Sequence, residues 1–286
     1  MIFKAKFVLY CVHLFQNSVS VKVVVLAGRL SGTLNEGMGR RRNRKWLRET
    51  TYSDVTVLVS GFRKPNAIES FEGAGLQPIL VENVTKSGYG KPTPLQKNVI
   101  PVVMASRDLM VARPRTSSGK SSTFLLPIIH KLIEADAGSG ADGPQCIVVA
   151  PTRWLALQIH NEACAFAQGS LVRSVVAYEG ISPVRELPKS CNILVATPDK
   201  LLDLVEKGRV KLSNCKYLVL EEADRMWDMD FMSEIQKLVE YPNLPKNAPK
   251  GERQTLIFSA SLPDELQESA REFLAEDYLF ISVGVR

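Results

Sequence analysis

The sequence predicts an α/β fold in which helices cover both faces of a parallel sheet. Short runs rich in Val, Ile and Leu recur from about residue 52 onward, and most are apolar throughout rather than alternating. Segments of helical period separate these runs, so strand and helix alternate along the chain. Ligands in such folds bind at the carboxyl ends of the strands, and the residues that follow each strand are therefore the candidates for function.

Each predicted strand is a short apolar run bounded by polar or turn residues. In chain order the strands are Leu109–Ala112, Cys146–Ala150, Ser174–Tyr178, Ile193–Ala196, Tyr217–Leu220 and Thr255–Phe258. The predicted helices are Lys120–Glu134, Trp154–Gln168, Asp199–Glu206, Phe231–Glu240 and Pro263–Leu274. Stretches 136–144 and 242–254 are rich in Gly, Pro, Asn and Lys, which indicates surface loops, and 278–283 resembles a further strand.

Composition narrows the class of protein. The 286 residues are 45% hydrophobic and 23% charged, as expected for a folded protein of one large or two small domains. No apolar run is long enough to cross a bilayer, so we expect no membrane partner. The five cysteines form no Cys-x-x-Cys pair, and the sequence therefore indicates neither a disulfide framework nor a zinc site.

The excess of basic residues lies in one segment. Lys and Arg total 36 against 30 for Asp and Glu, and six of the basic residues fall between Arg40 and Arg48. Such a run is typical either of a solvated tether or of a segment used for RNA binding or nuclear targeting. We expect residues 1–51 to form a divergent, poorly ordered leader with no assigned function.

A phosphate-binding loop is predicted where Thr116, Ser117, Ser118, Gly119, Lys120 and Ser121 join a strand to a helix. Backbone N–H groups and the helix dipole would meet phosphate there, with Lys120 on the terminal phosphates and the Ser121 hydroxyl on Mg²⁺. A plain helix N-terminus is the alternative explanation of so short a motif.

Paired carboxylates end a later strand. Glu221 and Glu222 follow Tyr217–Leu220, and Asp224 comes two residues after them. Metal-assisted phosphoryl transfer requires carboxylates at such a position. An acidic helix N-terminus, favoured by the helix dipole, is the alternative.

Further motifs follow the strands in a recognisable order. They are Pro151-Thr152-Arg153, Tyr178-Glu179-Gly180, Thr197-Pro198-Asp199-Lys200 and Ser259-Ala260-Ser261, with Gly88 to Gln96 upstream. Together with the phosphate loop and the carboxylates they make seven motifs, whose order and spacing resemble the first RecA-like domain of DEAD-box RNA helicases. The residues around the motifs are most similar to the Vasa subgroup. The resemblance covers residues 52–286 and implies a RecA-like P-loop NTPase domain with its adenine-reading element at about 69–97.

The resemblance implies a role for each matching residue. An adenine-binding role falls on Phe71, Tyr89, Pro92 and Gln96, and phosphate contacts fall on the Thr116–Ser121 loop. Ser121 and Glu221 would hold Mg²⁺, partly through water. Glu222 would activate the attacking water, and Asp224 would link that site to Ser259 and Ser261.

An RNA surface is implied in the same way. It would grip the sugar-phosphate backbone, which makes binding independent of base sequence. The implied residues are Pro151, Thr152, Arg153, Gly180, Thr197, Pro198 and Lys200. For Phe71 and Pro151, core packing is an equally good explanation.

Departures from the family pattern predict weaker activity. Pro114 and Ser117 stand where the family has Ala and Gly, and a left-handed non-glycine residue costs about 1 to 2 kcal/mol, or roughly a tenfold loss of affinity. Glu221 replaces Asp, which crowds the metal's hydration shell. On the RNA surface Glu179 and Asp199 replace Gly and Lys200 replaces Arg, while Trp154 and Asp230 replace Glu and Gly elsewhere.

The sequence is compatible with two functions. The first is the ATP- and RNA-binding domain of an ATP-dependent RNA helicase, with ATP and Mg²⁺ as ligands, impaired hydrolysis and no unwinding by itself. The second is a catalytically dead relative that acts as a protein or weak RNA binding module. We expect a monomer without the family's second RecA-like domain, and the resemblance implies a place in the cytoplasm, the nucleus or germline granules.

Overall fold

The computed structural model describes residues 55–113, 119–135, 143–180, 191–246 and 253–285. Its strands are β1 Val55–Ser60, β2 Leu109–Ala112, β3 Cys146–Val149, β4 Ser174–Ala177, β5 Ile193–Ala196, β6 Tyr217–Glu221, β7 Gln254–Ser259 and β8 Leu279–Val285. Its helices are α1 Pro78–Lys86, α2 Pro94–Met104, α3 Ser122–Glu134, α4 Arg153–Phe166, α5 Pro198–Glu206, α6 Ala223–Asp228, α7 Met232–Val239 and α8 Asp264–Phe273.

The strands form one eight-stranded sheet in the order β1-β8-β2-β7-β6-β3-β5-β4. Every neighbouring pair is parallel except β1 and β8, which run antiparallel. Because β2, β7 and β6 are neighbours, the segments that follow them emerge side by side. The segments after β3, β5 and β4 emerge in the other half of the same edge.

Apolar side chains fill both faces of the sheet, which explains why the strands do not alternate. In β3, Val148 belongs to one core, whereas Ile147 and Val149 belong to the core on the opposite face. Helices α1 to α4 supply the first core, and α5 to α8 supply the second. Because both faces are covered, each central strand must be apolar at every position, and the predicted fold class is confirmed.

Four elements were not predicted, namely β1, α1, α2 and α6. Among the described strands, β1 lies at the edge of the sheet and pairs only with β8, so Leu58 is 62% exposed while Val57 and Val59 pack against the core. Its partner lies more than two hundred residues later, and no local pattern reports such a pairing. Among the described helices, none is long and apolar enough to cross a membrane.

Candidate functional site

One side chain holds the Gly88–Gln96 element against the turn that begins α3. Gln96 is fully buried in α2, and its Nε2 donates to the Ser122 hydroxyl at 2.8 Å and to the Gly119 carbonyl at 3.4 Å. Its Oε1 accepts from the Thr93 backbone N–H at 2.7 Å, which completes the capping box of α2. Gln96 therefore joins the start of α2 to the start of α3.

Glycine is required at position 119 for two reasons. Its φ of +74° lies in the left-handed region, and a Cβ there would come within 2.7 Å of the Gln96 Nε2. Its carbonyl also accepts from Thr123 Oγ1 at 2.8 Å. The turn before α3 is thus fixed by backbone geometry and by side chains from two helices.

The other residues predicted to bind adenine lie in different environments. Phe71 is 3% exposed and belongs to the core, the placement expected from packing. Pro92 is buried. Tyr89 is half-buried, with its ring centroid 6.0 Å from that of Phe166, and it lines a groove of about 470 Å³ together with the 74% exposed Trp154.

Part of the predicted phosphate loop lies outside the described residues, namely Thr116, Ser117, Ser118 and the altered Pro114. Lys120 lies within them and lines a small recess with Arg113, Glu222, Phe258, Ser259 and Ala260. This recess faces the carboxyl ends of β2, β6 and β7, which is where the sequence places phosphate chemistry.

Ser121 is buried at the start of α3 and is turned toward a carboxylate. Burial raises the pKa of Glu162 in α4, and hydrogen bonds from Gln158 and from the Ser121 hydroxyl partly offset that effect. The hydroxyl predicted to meet a metal therefore has a protein partner.

Glu221 is also engaged by the protein. It is 1% exposed at the end of β6, and its Oε1 accepts a hydrogen bond from Nη2 of Arg113, which is 4% exposed. Burial raises the pKa of Glu221, and the Arg113 charge opposes that rise without cancelling it. With Glu221 turned toward Arg113, the predicted carboxylate ligand as arranged does not fit a directly bound Mg²⁺.

Glu222 adopts a strained backbone conformation at the strand tip. Its φ of 57° and ψ of 52° are left-handed, a conformation that costs a non-glycine residue about 1–2 kcal/mol. Its Oε2 accepts from Arg225 Nη1 at 3.1 Å, and the side chain is 17% exposed in the recess beside Lys120. Strain of this kind is typical of functional sites.

Asp224 ties the carboxylate motif to the Ser259–Ser261 segment. Its backbone N–H donates to the Ser259 hydroxyl at 3.0 Å, and its Oδ1 accepts from the Ala260 backbone N–H at 3.3 Å. Ser259 Oγ in turn donates to the Ser261 carbonyl at 2.6 Å. The structure thus brings these predicted residues together across β6 and β7.

At the carboxyl ends of β3, β5 and β4, two of the predicted RNA residues, Arg153 and Gly180, lie close together. Its Nη2 lies 2.9 Å from Glu179 Oε2, and the two side chains are 57% and 75% exposed. Gly180 has a φ of +88°, and a Cβ there would lie 3.4 Å from Arg153 Nη1. The cation predicted to meet RNA is therefore paired with a carboxylate that the family pattern lacks.

The remaining predicted RNA residues sit at helix starts in this half. Thr152 caps α4 by accepting from the Leu155 backbone N–H at 3.3 Å, while the Thr197 hydroxyl at the start of α5 is buried with no hydrogen-bond partner among the described residues. Pro151 and Pro198 are buried, and Lys200 lies 3.4 Å from Asp203.

Arg113 and Glu162 contact predicted site residues and were not themselves predicted from the sequence. Arg113 directly follows β2, and a charged residue immediately after a buried strand was the available signal. Glu162 lies inside α4, and nothing in its local sequence distinguishes it from a surface glutamate. Each contacts a motif residue far away in the chain.

The chain is similar to known helicases. A family model described as DEAD/DEAH box helicase matches residues 93–269. The probable ATP-dependent RNA helicases DDX4 of Macaca fascicularis and Homo sapiens are 47% identical over 240 residues, which is 82% of this chain and 33% of each relative. The probable ATP-dependent RNA helicase vasa-like of Penaeus vannamei is 45% identical over 241 residues, or 82% of this chain and 34% of the relative.

Solved structures are similar as well. The RNA helicase Prp28 from Chaetomium thermophilum bound to ADP is 30% identical with a TM-score of 0.70, covering 90% of this chain and 59% of that one. A DEAD box protein from Methanococcus jannaschii is 29% identical with a TM-score of 0.66, covering 76% and 56%. The chain spans about a third of the length of the curated relatives that it matches.

Proposed function

This chain belongs to the DEAD/DEAH box helicase family, and on that premise we propose that it is the ATP- and RNA-binding domain of an ATP-dependent RNA helicase. The observation that supports nucleotide binding best is the Gln96 bridge between the Gly88–Gln96 element and Gly119. It couples the element proposed to read adenine to the turn proposed to hold phosphate, so one ligand would touch both.

Within this proposal the described residues divide the work by position. Lys120 contacts the terminal phosphates, and Glu222, held in place by Arg225 and its left-handed backbone, orients the attacking water. Asp224 transmits the state of that site to Ser259 and Ser261 through the contacts described above. Arg153 and its neighbours in the β3, β5 and β4 half bind the RNA backbone.

We propose that hydrolysis is impaired. Glu221 is buried against Arg113 rather than open to the recess, and the phosphate loop carries Pro114 and Ser117. RNA binding is weakened as well, because the Arg153 guanidinium forms an ion pair with Glu179. Unwinding would need a second RecA-like domain to complete the RNA cleft.

The second candidate is a catalytically dead relative that acts as a protein or weak RNA binding module. The buried Arg113–Glu221 pair supports it, because a site that satisfies its own acid without a ligand can persist as a structural element. The monomeric state, the poorly ordered leader and a place in the cytoplasm, the nucleus or germline granules stay predictions.

Calorimetric titration of ATP and of ADP into the full chain, with MgCl₂ in the buffer, tests the proposal. We expect saturable binding that Lys120→Ala weakens roughly 10- to 100-fold, because a charge-assisted contact to phosphate is lost. Circular dichroism shows whether each protein is folded.

Two outcomes separate the candidates. Nucleotide binding with little phosphate release, even when RNA is added, supports an impaired helicase domain. No heat up to millimolar nucleotide from a folded chain rejects nucleotide binding and leaves the binding module.

A further inference from the structure

Arg113 is tied to the three strands that surround the recess. It directly follows β2, its backbone N–H donates to the Ser259 carbonyl of β7 at 2.9 Å, and its guanidinium donates to Glu221 of β6. The guanidinium also lies over the Phe258 ring, 5.4 Å from its centroid. A fixed positive charge therefore lines the recess that also contains Lys120.

This charge takes the place at Glu221 that the family pattern gives to a divalent cation. Glu221 is 1% exposed, and an unpaired carboxylate so deeply buried would be costly, so the guanidinium supplies the required positive charge from within the chain. Among the described residues, no group of three or more His, Cys, Asp or Glu side chains could hold a metal ion.

Part of the guanidinium lacks a partner among the described residues. Nε and Nη1 of Arg113 are buried and make no hydrogen bond within the described residues, whereas Nη2 is bonded to Glu221. A buried donor without an acceptor is destabilising, so an internal ion pair alone does not account for this residue. Phosphate oxygens are the acceptors that a guanidinium matches best.

We infer that Arg113 is the resident cation of the nucleotide site, so that this chain binds nucleoside diphosphates and triphosphates without a divalent cation. The inference rests on the proposed nucleotide binding and specifies its cation requirement. Bound phosphate accepts from Nε and Nη1, which have no partner in the described part of the chain, while Nη2 keeps Glu221 neutralised. A divalent ion would have to displace this guanidinium and would meet its repulsion.

The test is titration of ADP into the full chain in MgCl₂ and, separately, in EDTA. We expect the two dissociation constants to agree within about threefold, a difference well below the tenfold that 1.4 kcal/mol represents. Arg113→Met should weaken binding in EDTA roughly 10- to 100-fold, as expected for lost charge-assisted hydrogen bonds.

Arg107→Met is the matched control. Arg107 is also largely buried, at 16% side-chain exposure, and it bonds to backbone carbonyls and Asp277 away from the recess. This variant should melt earlier than the parent chain but bind ADP equally well in both buffers.

A second measurement needs no nucleotide. Arg113→Met should lower Tm by on the order of 10 °C because it leaves Glu221 buried and unpaired. Adding Glu221→Gln should recover much of that loss. If Glu221→Gln recovers nothing, the pair does not form and the inference fails whatever ADP does.

The titration distinguishes two kinds of failure. If ADP binds at least tenfold more tightly in MgCl₂ than in EDTA, the inference that Arg113 replaces the divalent cation is overturned, while nucleotide binding itself stands. No binding in either buffer by any variant overturns the proposed nucleotide function, and the cation requirement falls with it.

Discussion

Replacing Glu179 with Gln should strengthen the binding of single-stranded RNA. Glu179 Oε2 lies 2.9 Å from Arg153 Nη2, so the arginine proposed to bind the RNA backbone already forms an ion pair with Glu179. The glutamine keeps the size of the side chain and removes only the charge. Because both side chains are more than half exposed, the pair contributes about 0–1 kcal/mol to folding, and the variant should stay folded.

The size of the effect follows from the distances. A phosphate held by Arg153 would lie about 7 Å from the Glu179 carboxylate, and two charges at that separation repel by about 0.6 kcal/mol in bulk water and about 2 kcal/mol at an effective dielectric of 20. The pair is exposed and salt screens it, so we take the lower part of this range. The expected gain in affinity is therefore roughly 3- to 10-fold.

Fluorescence anisotropy with a labelled oligouridine, repeated at several salt concentrations, measures this gain. Releasing Arg153 to one more phosphate should also steepen the plot of log affinity against log salt by about 0.7 for a single strand. Glu82→Gln is the control, because Glu82 is an exposed glutamate that pairs with Lys86 at 2.6 Å on α1. It should change neither quantity.

A Glu179→Gln variant with the affinity and salt slope of the parent chain would refute the reasoning. Arg153 would then not face RNA, and the proposed surface on the β3, β5 and β4 half would lose its central cation. A gain that the Glu82→Gln control shares would instead mean that net charge alone sets the affinity.

Two other substitutions test the fold and the phosphate turn. Burial raises the pKa of the Asp108 carboxyl from 3.8 to about 6, so the folded chain holds that proton more tightly than the unfolded chain does. The free energy of unfolding should therefore fall by about 2 kcal/mol as pH rises from about 4 to about 6; urea titrations should show Asp108→Asn without this slope, and equal slopes would contradict it. Left-handed strain alone should lower the free energy of unfolding by about 1–2 kcal/mol in an alanine variant. Gly119→Ala should lower it by more, because the added Cβ also meets Gln96. Gly75→Ala, at a φ of +70° with no atom near the added Cβ, should show the strain alone. Equal losses in both glycine variants would show that Gln96 does not press on the turn.

The strands were predictable where burial made them uniformly apolar. β3 and β5 are buried at every position, so their uninterrupted hydrophobic runs predicted them as strands. β1 was not predictable, because its place at the edge depends on pairing with β8, and because the inward Val57 and outward Leu58 are both apolar. A sequence pattern therefore predicts the burial of a strand well but predicts its pairing partner poorly.

The same limit applies to the site. Lys120 lies in the segment that follows β2, Glu221 ends β6 and Asp224 comes shortly after it, so topology alone brings them to one end of the sheet. The pairing of Glu221 with Arg113 spans 108 positions and depends on both side chains being buried, which no local spacing encodes. Sequence therefore predicted which residues meet at the edge but not which of them bind one another.

The antiparallel pairing of β1 with β8 also bears on how this domain can be re-engineered. Val55 and Val285 are partners in the register, and β8 runs parallel to β2, so the first and last described residues lie together at the carboxyl end of the parallel strands, where the proposed ligand residues emerge. A short peptide between them would permit circular permutation, with new ends cut at the opposite edge of the sheet. A fluorophore attached near either residue would sit on the ligand-facing side and could report occupancy without an insertion into any motif.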